Sequence, residues 1–267
     1  MGQHPTPAAR VGVEEVTDGI GDRLLTVTFA GTATGRDLDG LFRGRSRGRS
    51  VSRIDPLGEL SAMTGYVPLA RLAEAYRDPV ASLAPVAIVG HCTAAALTVA
   101  LADDLARHTK RESAVVLLDP MRPTAAGVVQ TFMQRRRALG AEGAAEPGLE
   151  HVCAHAPERA LRAMGHQLIG DGREFAVRAG LSDGEAAAFA DELVSRYRAW
   201  LGFLLASMHA GLSEPTTKTY CVLSEDRELP AGLGRPTVRR VAVPADRLLM
   251  ESEVLDLVLG LVEDSHA

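Results

Sequence analysis

Cysteine is scarce in this chain, and what there is of it is scattered. Among 267 residues there are only Cys92, Cys153 and Cys221. An odd number, far apart, gives neither a disulfide framework nor the close pairs of a zinc site, and it fits a reducing, cytoplasmic setting. No His/Cys/Asp/Glu spacing suits a metal, and neither a P-loop nor a glycine-rich dinucleotide fingerprint is present, so no metal and no cofactor are expected. Uninterrupted apolar runs stay short of the roughly 18 residues that span a bilayer, and the first residues, "MGQHPTPAARVGVEE", have no apolar signal core. Neither export nor membrane insertion is expected. Lysine is nearly missing too: apart from Lys110 and Lys218, basic charge is carried by arginine, and the net charge is -5. That balance argues against general nucleic-acid binding.

What is present is hydrophobic residues, at 46%, enough for a sizeable core in one domain. Short β-branched runs recur at Leu24 to Phe29, Val51 to Ile54, Val86 to Val89, Ala114 to Leu118, Thr219 to Leu223 and Val238 to Val243. Because they do not alternate with polar residues, they suit strands buried on both faces. Helical patterns at Tyr66 to Tyr76, Ala94 to His108 and Glu251 to Glu263 lie among them. The alternation predicts an α/β fold, a mainly parallel central sheet flanked by helices. From about 122 to 213 the strands stop and helices follow one another, which reads as a lid insertion within a single domain spanning 1 to 267. Its segment 138 to 148, "ALGAEGAAEPG", buries little and is expected to be its loosest part. Ser182 and Glu185 form the capping pattern of a long helix that follows.

The informative stretch is "VAIVGHCTAAALTVALADDLARH", residues 86 to 108. Cys92 sits where the strand ends and the helix begins, with Gly90 two before it and Ala94 two after. A nucleophile on such a sharp turn needs small residues at both positions. The turn would aim the Thr93 N–H at a reacting carbonyl, and the helix N-terminus would favour a thiolate. A second N–H would come from "TFAGTATG" (28 to 35), with Thr32, or Gly31 beside it, as the candidate. In "AVVLLDP" Asp119 stands at the end of its strand, a position for a catalytic acid, with Asp226 in "VLSEDREL" as the alternative. Cys153 and Cys221 read as structural.

Phe29-Ala-Gly, the elbow Gly90-His91-Cys92-Thr93-Ala94-Ala95, Leu118-Asp119, the helical insertion and the late "VPADRLLMES" together resemble the thioesterases of nonribosomal-peptide and polyketide pathways over residues 20 to 263. The resemblance implies the α/β-hydrolase fold, with a helical lid, and a substrate carried as a thioester on the phosphopantetheine of an acyl or peptidyl carrier protein. The family most often uses serine, with cysteine a known variant. Where it has Gly-Asp-His, this chain reads Ala245-Asp246-Arg247, so Arg247 occupies the histidine position. Lid histidines are the alternative bases, His155 and His209 before His151 and His166, while His91 is expected to pack beside the elbow. A thiol depends less on a base than a hydroxyl does, and moving an acyl group between thiols activates no water. Cysteine without histidine therefore suits an acyl or aminoacyl transferase; the alternatives are an editing hydrolase using a non-standard histidine and an inactive carrier-binding relative. The arginines of "RGRSRGRSVSR" (43 to 53) read as a solvated loop or as a dock for an acidic carrier protein.

Overall fold

The computed structural model describes residues 12–29, 38–63 and 65–266. Seven strands form one sheet in the order β1-β3-β2-β4-β5-β6-β7: β1 (Glu14–Thr17), β2 (Arg23–Val27), β3 (Ser50–Ile54), β4 (Ala87–His91), β5 (Ala114–Leu118), β6 (Thr219–Leu223) and β7 (Thr237–Arg240). Only β1 runs antiparallel, against β3. The remaining neighbours are parallel, with His91 in register with Leu118 and Leu118 in register with Val222.

The expected strands agree with the observed ones to within a few residues. β1 was not expected: "EEVT" has no apolar run, and as a half-exposed edge strand it packs only Val16 against the core. The last strand stops at Arg240 rather than Val243, although Val241 and Val243 still bury their side chains. β5 and β6 are buried at every position, because each face of the sheet meets helices. Leu25, Ile88, Val115, Leu117 and Cys221 face one side, with α3 (Leu69–Leu83) and α4 (Ala95–Thr109). Leu24, Val89, Val116, Leu118 and Val222 face the other, with α1 (Leu38–Phe42) and α9 (Ser252–His266).

After β5 the chain forms α5 (Ala125–Ala138), α6 (Leu149–His155), α7 (Pro157–Arg178) and α8 (Asp183–Ala210) before the sheet resumes at β6. Glu185 Oε2 accepts from both the N–H and the hydroxyl of Ser182, at 3.0 and 2.6 Å, fixing the start of α8. Its 28 residues make a rod of about 42 Å. The first half packs among the inserted helices, while Ala199, Phe203 and Ala206 belong to the core beside the sheet. Phe29, just beyond β2, meets Trp200 and Phe203 edge-on at 5.0 and 4.7 Å between centroids. Such pairs contribute about 0.5–1.5 kcal/mol each beyond burial, so α8 is a fixed part of the core and not a loose cover. Segment 138 to 148 is a largely exposed loop; Arg178 Nη2 donates to Leu139 O at one end, and Gln167 Nε2 to Glu146 Oε1 near the other.

Three of the five arginines between 43 and 53 are spent within the chain. Arg47 pairs with Asp256, Arg49 with Glu263, and Arg53 with Glu14 and the buried Asp39. Arg47 and Asp256 stay exposed, as a solvated loop would have them, while the largely covered Arg49 and the β3 residue Arg53 are held against α9, β1 and α1 and correct the reading at those two positions.

Candidate active site

The C-terminal ends of β4, β5 and β6 converge on Cys92. β4 can lie against the first turns of α4 only because position 90 has no side chain: a Cβ there would stand 2.1 Å from Thr98 Oγ1, which itself donates to Ala94 O. Cys92 has φ +55, a left-handed backbone uncommon for a non-glycine residue. One 3-10 turn, Cys92–Ala94, joins the strand to α4, and the Cys92 carbonyl accepts from Ala95 N–H and, at 3.0 Å, from Met121 N–H. The Thr93 N–H lies against the Cys92 sulfur and favours the thiolate, as does the charge of Arg227. Burial outweighs both and holds the thiol above its ordinary range. The other two cysteines are fully buried, and burial pushes them further, Cys153 to about 11 and Cys221 to about 12. Cys92 alone of the three is partly exposed.

Asp119 closes β5 with φ +42 and is 4% exposed. Its carboxylate is held by Ser224, whose N–H donates to Oδ1 and whose hydroxyl donates to Oδ2, both at 2.8 Å. Asp226, the alternative acid, lies exposed in the turn after β6. The structure thus brings Cys92, Thr93 and Asp119 to one edge of the sheet; Thr32 and Gly31 lie outside the described residues.

No imidazole bonds to Asp119 among the described residues. Arg247 is 60% exposed and reaches outward to Glu251, four residues on. His151 and His155 stack on each other at 4.2 Å on α6. His209 Nε2 donates to Cys153 O at 2.8 Å, which ties α8 to α6. His166 lines a cleft of about 140 Å³ with Tyr66, Arg162 and Arg198, and neither Cys92 nor Asp119 borders it. His91 does sit beside the elbow, as expected, within reach of the charges of Asp119 and Arg227; burial lowers its imidazole to about 4, so it is neutral near pH 7.

Two site residues escaped the sequence reading, Ser224 and Arg227. Both lie in "VLSEDREL", directly after β6, and the signal was their place: in parallel sheets, residues just past the strand C-termini meet in space. Among the described residues no group of His, Cys, Asp or Glu is arranged to hold a metal ion, and no helix is long and apolar enough to cross a membrane.

No protein-family model matches the chain, and no curated protein matches it significantly. Solved structures do match in fold. The NocB thioesterase domain from the nocardicin cluster superposes with a TM-score of 0.56 at 15% identity, covering 93% of this chain and 97% of that one. The wild-type Vlm2 thioesterase domain gives 0.52 at 16%, covering 94% and 96%. A putative α/β hydrolase family protein from Desulfitobacterium hafniense gives 0.53 at 12%, covering 94% and 99%. The fold is that of the α/β hydrolases, with a seven-stranded, mostly parallel sheet flanked by helices.

Proposed function

We propose that this protein is a Cys-dependent acyltransferase that takes an acyl or aminoacyl group from a carrier-protein thioester onto Cys92 and passes it to a second thiol or to an amine. The observation that carries the reading is the pairing of a left-handed, partly exposed Cys92 at the strand-helix junction with an acid whose carboxylate is taken up by Ser224. In the first step the Cys92 sulfur attacks the thioester carbonyl. A new carbon–sulfur bond forms, the donor sulfur leaves, and it takes up the proton that Cys92 gives up. The two thioesters are of similar energy, so the step needs little driving force. The Thr93 N–H, now against the sulfur, is the first oxyanion donor and an amide near Thr32 the second. Asp119 supports the elbow as a fixed negative group beside neutral His91. The insertion α5 to α8 serves as the cover, with α8 its rigid rib, and phosphopantetheine enters as part of the substrate.

Two features support transfer over hydrolysis. Water attacking an acyl-enzyme needs a base, and the residue at the family's histidine position, Arg247, faces Glu251 on the surface. The engagement of Asp119 by Ser224 favours one second reading, a relative that binds carriers without turnover. Intact-protein mass spectrometry after incubation with acyl carrier-protein thioesters separates the two. The expected result is a persistent acyl mass on Cys92 that disappears in Cys92→Ala. An adduct on Cys153 or Cys221 that survives Cys92→Ala would overturn the transferase, and no adduct with any carrier thioester would leave the binding relative.

A further inference from the structure

The chain carries more acid than base, 34 Asp and Glu against 29 Lys and Arg, and its arginines are commonly committed to carboxylates. Besides Arg47, Arg49 and Arg53, Arg77 pairs with Asp104 and Arg136 with Asp171. Like several other surface arginines, Arg227 is exposed and its guanidinium has no ion-pair or hydrogen-bond partner among the described residues; what sets it apart is its place, three residues past the Ser224 that bonds Asp119. Its backbone, by contrast, is fixed. Ser224 at the head of the turn is clamped to Asp119, the Arg227 N–H donates to Ser224 O at 3.3 Å, and Glu225 N–H donates to Val243 O. Arg240 Nη1 donates to the Arg227 carbonyl at 2.8 Å, adding a second positive charge behind the turn. Asp119 forms no ion pair with Arg227; the donors on its oxygens are the N–H and hydroxyl of Ser224.

From this placement we infer that Arg227 is the specificity residue of the elbow, binding an anionic oxygen group of the substrate, a carboxylate or a phosphate, while the acyl group is on or near Cys92. The inference rests on the reading of Cys92 as the acyl acceptor and deepens it by naming the substrate's charge. Its nearness to the site follows from the turn itself: Ser224, three residues before it, is bonded to Asp119, and Leu118 next to Asp119 is in register with His91 beside Cys92. Arginine suits the task because its planar fork meets two oxygens at once. The anion has two possible sources, the acyl chain itself, as in a dicarboxylic half-thioester, or the phosphate of the pantetheine arm that delivers it.

The test begins with alkylation of Cys92 in the full chain by iodoacetate and by iodoacetamide. In each case the sulfur displaces iodide, and both reagents sample the same thiolate fraction, so their rate ratio isolates recognition of the carboxylate. Relative to glutathione, the ratio should favour iodoacetate by about tenfold, as expected for one charge-assisted contact. Arg227→Gln should abolish the preference and Arg227→Lys should keep part of it. A ratio equal to that of glutathione, or one kept in Arg227→Gln, would overturn the assignment. Thioesters then identify the source. If malonyl-N-acetylcysteamine acylates Cys92 faster than propionyl-N-acetylcysteamine, and Arg227→Gln removes the difference, the anion is on the acyl group. If acetyl-phosphopantetheine outruns acetyl-pantetheine in the same Arg227-dependent way, it is on the arm. Acylation indifferent to both charges and to Arg227 would overturn the inference while leaving the transferase reading intact. Failure of every thioester to acylate Cys92 would sink the transferase reading, and the alkylation ratio would still decide the role of Arg227.

Discussion

The strand ends that carry Cys92 and Asp119 and the segment that carries Arg247 occupy corresponding places in one fold, yet they are built differently. Cys92 and Asp119 hang from β4 and β5, neighbours in register at the middle of the sheet, and each is pinned by backbone bonds to the next strand or loop: Cys92 O to Met121 N, and Asp119 N to Val222 O. Arg247 follows an edge strand that ends at Arg240, in a turn held by its own local bonds, Arg247 N–H to Pro244 O and Met250 N–H to Arg247 O. A residue in the first region cannot change without disturbing the core. In the second, the side chain at 247 reaches out to Glu251 and can be exchanged at little structural cost.

The sharpest way to break this contrast is at the elbow. Gly90→Ala places a methyl 2.1 Å from Thr98 Oγ1, which forces α4 away from β4. Overpacking of this kind costs about 1–3 kcal/mol, and the shift should also spoil the geometry at Cys92. Chemical denaturation should show the loss, and the lead of Cys92 over Cys153 and Cys221 in iodoacetamide alkylation should shrink. If stability and alkylation both match the wild type, the elbow is not as rigid as its packing indicates.

Next in size is Ser224→Ala. It removes the hydroxyl donor of Asp119 Oδ2 and leaves a buried carboxylate oxygen unpaired, at a cost of about 1–3 kcal/mol. Equilibrium unfolding at neutral pH measures it, and a variant as stable as wild type would mean that water replaces the hydroxyl and Asp119 is less enclosed than it looks.

Much of this arrangement was legible in the sequence. Unbroken apolar runs gave the buried strands β2 to β6 nearly residue for residue, since a strand covered on both faces has no polar alternation to blur it. Gly90, Cys92 and Ala94 marked the elbow because only small residues fit there. β1 was not legible, having too few apolar residues to register. Ser224 and Arg227 were illegible for another reason: what matters about them is a neighbour 105 residues away in one case and an unpaired charge in the other, and neither leaves a local pattern. The anchoring of α8 to Phe29 was hidden likewise, because helical periodicity marks a buried face without saying what covers it.

A smaller effect concerns acid. His91 has its imidazole lowered from about 6.5 to about 4 by burial. Between those values the unfolded chain takes up a proton that the folded chain refuses, so this group's contribution is present above 6.5, declines as the pH falls and is lost by about 4. His91→Asn should flatten that part of the stability profile between pH 6.5 and 4. Parallel wild-type and variant profiles through that window would place the proton elsewhere.

The smallest expected effects are at position 247. Arg247→Ala removes an exposed pair to Glu251, and such pairs contribute about 0–1 kcal/mol, so unfolding should barely shift. Arg247→His is the more instructive change, because under the proposed function position 247 is the place where thioesterases of this fold carry a histidine. A base acts only if its other nitrogen is oriented and its reactive one lies near the nucleophile, and here the carboxylate that would orient it is bonded to Ser224 while the side chain at 247 points to solvent. Acyl-Cys92 in Arg247→His should therefore decay nearly as slowly as in the wild type, followed by intact mass over time. Combining Arg247→His with Ser224→Ala frees Asp119 Oδ2 for the imidazole, and the double variant should lose its acyl group faster than either single one. If Arg247→His alone accelerates deacylation by the order of 10² or more that a well-placed base supplies, position 247 does not face away from the site as described above, and the contrast between the two regions fails.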